Sequence, residues 1–390
     1  MKCEYYKLGT LVERKIGYGI VQPGSNQKQG TPIIKVNNII SGLKSIADLD
    51  CTAEQISSKY ERTKLRGGEL IISVVGTIGK TAIVPKSFAG CNLVRATAMI
   101  DIPDLQIAKW VKYYLDSPNG QAYIHQNLNT TVQPTLNIKS LSEMPIPFYS
   151  DAQMQRIIAI LESLDDKIEL NNKINENLEQ QAQAFYEYLF IENADSKWQQ
   201  GTISDLGTVV GGSTPSKSKL DYYTDNGIAW ITPKDLSINK SKFISHGAND
   251  ITELGLKNSS ATIMPGGTVL FSSRAPIGYI AIAAGEVTTN QGFKSVVPKP
   301  EIGTAFVYYF LKQNLPIIEG TASGSTFKEI SGSTMKRVPA VIPDSENLIK
   351  FNDFCKPIFA QQKILEEQNH SLATLRDSLL PKLMSGKIEL

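Results

Sequence analysis

The sequence predicts an α+β chain: two tandem α/β domains separated by long helices that form an antiparallel intramolecular coiled coil, arranged as a pseudo-two-fold repeat. Three observations predict it. The stretch Asp151 to Phe190 contains neither Gly nor Pro and places apolar residues at steps of three and four. The order of motifs in the first half recurs about 195–199 residues later. The second copy, like the first, runs into a helical pattern. The boundaries drawn from these are 1–150 for the first domain, 151–192 for the central helix, 193–343 for the second domain and 344–390 for the C-terminal helix.

In the first domain, a short helix is predicted over Lys7–Arg14, followed by the glycine-punctuated loop IGYGIVQPGSNQKQG. Thr31–Ile39 reads as a strand. Residues 67–84, GGELIISVVGTIGKTAIV, read as two β-rich runs joined by a glycine turn. A helix follows at Ile107–Asp116, then a polar loop over 127–137 and the proline-rich exit MPIPFYSD. In the second domain, Gly266-Gly267 echoes Gly67-Gly68. Ser272, Ile277, Gly278, Ala281 and Ile282 echo Ser73, Ile78, Gly79, Ala82 and Ile83 at one offset. Asn290 is set opposite Asn92, Tyr308-Tyr309 opposite Tyr113-Tyr114, and VPAVIPDS opposite MPIPFYSD.

The central helix carries its seam on Ile157, Leu161, Leu164, Ile168, Ile174, Leu178, Ala182, Phe185 and Leu189. Asn171 interrupts it with a polar group, a device that fixes register. At about 1.5 Å per residue the stretch spans roughly 60 Å, too long for one compact domain. The second seam runs through Phe351, Cys355, Ile358, Leu365, Leu372, Leu375, Leu379 and Leu383, with Gln362 and Asn369 as polar interruptions. Pro357 is expected to kink this helix or delay its start.

Net charge is only +2, but it is unevenly distributed. Residues 1–150 hold 17 Lys/Arg against 11 Asp/Glu, and residues 193–343 hold 14 against 11. The central helix holds 3 against 9, and the C-terminal segment 6 against 7. Basic domains can approach a polyanion that would repel an acidic rod. No apolar run reaches the roughly 18 residues that cross a membrane, and MKCEYYKLGTLVERK lacks a signal-peptide core. Cys3, Cys51, Cys91 and Cys355 are scattered, as are His125, His246 and His370, so no metal site is expected. The expected location is the cytoplasm.

Catalytic motifs are missing. VGTIGKT (75–81) ends like a phosphate loop, but Val74 stands where its first glycine belongs, and the repeat has Tyr279-Ile280 opposite Lys80-Thr81. A tight turn is the better reading. Gly17-Tyr18-Gly19 lacks a third glycine, and Glu13-Arg14-Lys15 has no preceding Pro-Asp. Nor is there an amino-methyltransferase motif. The chain therefore reads as a binding protein or adaptor rather than an enzyme.

Several stretches together resemble the specificity (S) subunit of type I restriction-modification enzymes. They are ISDLGTVVGGSTPSK (203–217), GIAWITPKDL (227–236), PGGTVLFSSRAPIGYIAI (265–282) and TTNQGFKSV (288–296), with the helix ends AFYEYLF (184–190) and LRDSLLPKLMSGKIEL (375–390). The resemblance covers the whole chain. It implies that each α/β domain is a target recognition domain reading one half of a bipartite, asymmetric sequence in double-stranded DNA. It implies that the helices set the spacer between half-sites and dock two methyltransferase (M) subunits. Restriction (R) subunits would complete the assembly. S-adenosylmethionine and ATP are expected on those partners and no cofactor on this chain, which would be a non-catalytic subunit.

The resemblance also points to loop residues for DNA contact. In the second domain these are Ser213, Thr214, Lys217, Lys219, Trp230, Thr232, Lys234, Arg274, Asn290, Gln291, Lys294, Ser325, Thr326 and Lys328. In the first they are Lys15, Tyr18, Gln22, Lys35, Asn37, Asn38, Thr77, Lys80, Asn92, Arg95, Thr130, Thr131 and Gln133. Lys, Ser and Thr suit phosphate oxygens, and Arg, Asn and Gln suit base edges. The first domain departs from the pattern, with VNNI where the second has PKDL and no tryptophan. Two other functions are compatible with the residues: a protein-binding adaptor and a standalone DNA-modifying enzyme.

Overall fold

The structure, a computed structural model, describes residues 3–129, 133–324 and 328–388. The chain divides into two compact units, residues 1–167 with 371–390, and residues 168–370. The central helix, Asp151–Glu187, and the C-terminal helix, Ser345–Met384, each contribute to both.

In the first unit the core sheet has the order Arg14–Tyr18, Thr97–Asp101, Leu70–Ser73, Thr81–Ile83, all antiparallel. Leu70, Ile72, Ala98 and Ile100 bury one face against the helix Leu105–Asp116. A second sheet pairs Thr31–Ile34 antiparallel with Asp50–Thr52 and parallel with Asn92–Leu93. Glu4–Lys7 pairs antiparallel with Pro145–Phe148. The second unit repeats this plan. Its five-stranded sheet runs Gly207–Gly211, Lys294–Pro298, Val269–Ser273, Ile277–Ala283, Phe243–Ile244. Ile228–Ile231 pairs antiparallel with Asn249–Ile251 and parallel with Thr288–Thr289. Gln199–Thr202 pairs with Pro339–Ile342, as Glu4–Lys7 does with its partner.

Both halves build the same hairpin turn. Ser73 Oγ donates to Thr77 O (2.6 Å) and accepts from Lys80 N (2.8 Å). Ser272 Oγ donates to Pro276 O (2.8 Å) and accepts from Tyr279 N (2.7 Å). Gly79 and Gly278 sit at φ +85° and +95°, where a side chain is strained. The GKT segment is thus a strand-to-strand turn.

Four local expectations are corrected. Lys7–Arg14 is not a helix. It is the end of one strand, a 3-10 turn at Leu8–Thr10 and the start of the next strand. Sheet pairing on both sides overrides the local helical pattern. Thr31–Ile39 is a strand only to Ile34, and Val36–Ser41 is helical, capped by Lys35 and Asn38. Pro357 does not delay the C-terminal helix, which starts at Ser345 and continues through the proline to Met384. The polar loop 127–137 contains a small ladder, Leu128–Asn129 with Thr135–Leu136.

The helices pair antiparallel within each unit. In the second, Asn171 Nδ2 donates to Asn369 Oδ1 (2.9 Å), Gln362 Nε2 donates to Asn175 O (3.1 Å), and the Phe185 and Phe351 ring centroids lie 6.0 Å apart. In the first, Arg376 Nη1 donates to Asp165 Oδ1 (2.8 Å), and Tyr149 Oη donates to Met384 O (3.0 Å). Ile157, Leu161, Cys355, Ile358, Gln362 and Leu365 are buried on this seam. Leu164, Ile168, Leu178, Phe185, Asn369 and Leu372 are half-buried. Ile174 and Leu375, expected on the seam, are exposed, 37% and 46%. The three-four register runs through Asn175 and Arg376 at these two places: Asn175 O accepts from Gln362 Nε2, and Arg376 bonds Asp165, so the neighbouring Ile174 and Leu375 point off the seam.

Candidate nucleic-acid interface

The candidate interface of the second domain forms where four segments meet, and backbone bonds fix each one. Ser213 N donates to Thr289 O (2.9 Å), Ser273 N to Gly292 O (2.8 Å), and Ile330 N to Ser273 O (3.0 Å). Between these fixed points the side chains form a connected set. Thr214 Oγ1 bonds Gln291 Oε1. Lys294 Nζ donates to Gln291 O (3.3 Å) and lies 3.8 Å from Glu329 Oε1. Arg274 Nη1 donates to Glu329 Oε2 (3.2 Å). Burial lowers the pKa of Lys294, Glu329 opposes the shift and Arg274 adds to it. Arg274, Pro276, Glu319, Lys328 and Glu329 line an open cleft of about 690 Å³. Lys217, Lys219, Lys234, Gln291 and Lys328 are exposed.

Other expected contacts in this domain serve the fold. Trp230 is buried, its Nε1 donating to Ser213 O (3.0 Å) and its ring meeting Tyr223 edge-on at 5.7 Å. It positions the Ser213 backbone instead of facing DNA. Thr232 caps the helix Pro233–Ile238: its N and Oγ1 both donate to Asp235 Oδ2 (2.7 and 2.6 Å). Asn290 caps its own turn, Oδ1 accepting from Gly292 N (2.8 Å). Ser325 and Thr326 lie outside the described residues.

In the first domain Asn92 is fully buried. Its Oδ1 accepts from Thr63 Oγ1 (2.9 Å), and its Nδ2 donates to Ser57 Oγ (3.2 Å). It is therefore a core residue, not a DNA contact. Its match with Asn290 is also shifted by two positions. Val94 N donates to Ile34 O (3.1 Å) as Asn290 N donates to Ile231 O (3.0 Å), so Asn290 corresponds to Val94. Lys35 pairs with Asp50, and Asn38 Oδ1 accepts from Lys35 N (2.8 Å), the counterpart of the Thr232–Asp235 cap. Tyr18 Oη accepts from Ile138 N (3.1 Å) and so braces the loop beyond it. Lys15, Gln22, Asn37, Thr77, Lys80, Arg95 and Gln133 are exposed. Thr130 and Thr131 lie outside the described residues.

Glu329 was not anticipated. It is 55 positions from Arg274 in sequence, and nothing in the local pattern joins them. Among the described residues no His/Cys/Asp/Glu group could hold a metal, and no helix is long and apolar enough to cross a membrane.

A family model, the type I restriction modification DNA specificity domain, matches this chain twice, over residues 2–180 and 195–372. The chain belongs to this family. The two matches coincide with the two copies of the repeated plan. The specificity subunit of the type I restriction enzyme MjaIX of Methanocaldococcus jannaschii is 41% identical over 179 residues, 44% of this chain and 41% of that relative. The HindI specificity subunit of Haemophilus influenzae is 24% identical over 330 residues, 65% of this chain and 71% of the relative. The alignment with the M. jannaschii relative thus spans less than half of that protein. A solved S subunit from M. genitalium shares the fold at a TM-score of 0.57 and 15% identity, covering 98% of this chain and 96% of the other. In this chain the two specificity domains are each followed by a long helix.

Proposed function

We propose that this chain is the DNA-recognition subunit of a type I restriction-modification enzyme, with each specificity domain reading one half of a bipartite, asymmetric target. The observation that carries this reading is one scaffold present twice with different side chains at equivalent turns. Val75 occupies the position of Arg274, and Lys80 that of Tyr279. Like scaffolds bearing unlike readers suit two different half-sites. The paired helices act as the spacer between the readers and as the docking surface for two M subunits, with R subunits joining the full complex. This chain contributes recognition. S-adenosylmethionine and ATP belong to the partners, whose chemistry is adenine methylation and ATP-driven translocation and cleavage.

The test is to reconstitute the chain with its modification subunits and map methylated adenines across genomic DNA. A single bipartite motif, absent when the chain is omitted, is the expected result. Methylation without sequence preference would overturn the reading and favour a protein-binding adaptor. Bound S-adenosylmethionine on the chain alone would favour a standalone enzyme.

A further inference from the structure

Arg274 and Glu329 are an odd pair to find on a DNA-facing surface. A carboxylate there repels phosphate, and an exposed ion pair adds little stability. Their side chains are 36% and 40% accessible, so neither is hidden from a ligand. Both backbones are nevertheless held firmly. Glu329 exchanges two bonds with Ser323, Glu329 N to Ser323 O at 2.9 Å and the return at 3.1 Å. Ile330 N donates to Ser273 O (3.0 Å), which brings Glu329 beside the residue that follows Ser273. Arg274 leads into a turn whose next residue, Ala275, sits at φ +53°, in the region that favours glycine. The pair is therefore presented outward from a fixed frame.

The same frame in the first domain carries no charge. Leu136 N donates to Val74 O (3.0 Å), Val74 N to Ala96 O (2.8 Å), and Thr135 pairs antiparallel with Asn129. Each bond has its counterpart at Ile330–Ser273, Ser273–Gly292 and Glu329–Ser323. Val75 and Thr135, which form a bridge, thus stand where Arg274 and Glu329 stand. The scaffold does not require the ion pair, because it folds the same way with a valine and a threonine.

On the reading that this surface meets DNA, we infer that Arg274 and Glu329 together read one G·C base pair in the major groove. The guanidinium forks onto guanine O6 and N7. The Glu329 carboxylate orients it and accepts from N4–H of the paired cytosine. A carboxylate at this place discriminates because thymine offers no donor there. Lys294, 3.8 Å from the same carboxylate, keeps Arg274, Lys294 and Glu329 net positive, so the backbone is still attracted. The half-site read by the second domain therefore contains an invariant G·C pair at this step. Val75 and Thr135 impose no such requirement on the other half-site.

The experiment uses the reconstituted methyltransferase and a double-stranded DNA library randomised through both half-sites, sequenced for methylated adenine. Wild type is expected to show at least one invariant G·C pair in the half-site assigned to the second domain. R274K keeps the charge and loses the fork. It should lower discrimination at that one step by about five- to a hundredfold, with the first half-site and assembly unchanged. E329Q should relax the same step. A wild-type second half-site with no invariant G·C pair would overturn the inference, and so would unchanged motifs in both variants. Loss of all sequence preference by the wild type would instead sink the functional reading itself. Copurification with the modification subunits identifies any variant that fails to fold, and the wild-type motif tests the inference without a variant.

Discussion

At the scale of single residues, the polar groups divide into those that hold the candidate interface in place and those whose side chains stay accessible on it. Asp235 is buried and uses both oxygens: Oδ2 takes Thr232 N and Oγ1, and Oδ1 takes Ala248 N (2.9 Å). D235A leaves these donors unmatched and is expected to cost about 2–3 kcal/mol, seen as a lower denaturant midpoint. An unchanged midpoint would mean that the cap is dispensable. Among the described residues Lys242 is the one buried cation. Its Nζ pairs with Glu179, donates to Gln362 Oε1 (2.7 Å), and lies 4.3–5.4 Å from the ring centroids of Tyr308, Tyr309 and Phe359. Glu366 accepts from the backbone N of Lys242 (2.8 Å) and Phe243 (3.1 Å). One lysine thus ties the second domain to both helices. K242M, close in shape but uncharged, should destabilise this unit by about 3 kcal/mol in chemical denaturation, because one half of a buried pair is removed.

At the scale of elements, each helix pairing carries its own device. Asn171 is fully buried and bonds Asn369, yet its Oδ1 has no partner among the described residues. N171L/N369L should therefore raise the thermal midpoint, by about 1–2 kcal/mol of stability, while removing the polar match that fixes register. A lowered midpoint would show that the amides stabilise the seam outright. Glu179 takes Lys242, Lys312 Nζ (2.6 Å) and Tyr309 Oη (2.9 Å). Burial alone would raise its pKa, but the two lysines outweigh burial and hold it at about 2. Lys242, more deeply enclosed, is lowered by burial against the pull of Glu179. Because folding depresses Glu179 from its ordinary 4.5, its contribution is complete above that pH and fades as pH falls toward 2. The stability gap between wild type and E179Q should close over that window; a gap that stayed constant would rule out the linkage. Much at this scale was legible in the sequence. Gly79 and Gly278 marked a turn that only positive φ can build, and the three-four spacing marked both helices. The seam residues Ile174 and Leu375 were misassigned because spacing alone does not say where polar side chains take over a seam. Lys7–Arg14 was misread because its strand partners, Pro145–Phe148 and Thr97–Asp101, lie far away in the chain.

For the whole molecule, the repeat was readable as an order of motifs, but matching identical letters aligned Asn92 with Asn290, where backbone bonds align Val94. Trp230 and Glu329 were illegible for a related reason. Their roles depend on Ser213 and Arg274, which only folding brings close. If the helices act as the spacer, removing one heptad from the central helix and its partner heptad from the C-terminal helix should change the number of unspecified base pairs. The half-site bases should stay the same. Methylation mapping reads both, and altered half-sites would contradict the spacer role. The Lys242–Glu179 joint has a consequence for ionic strength. Shielded from water by three aromatic rings, it is screened far less by added salt than surface pairs are. If the candidate interface meets DNA as proposed, salt should act on those contacts and leave the joint between domain and helices intact, so the slope of affinity against salt concentration would count phosphates engaged rather than domains loosened.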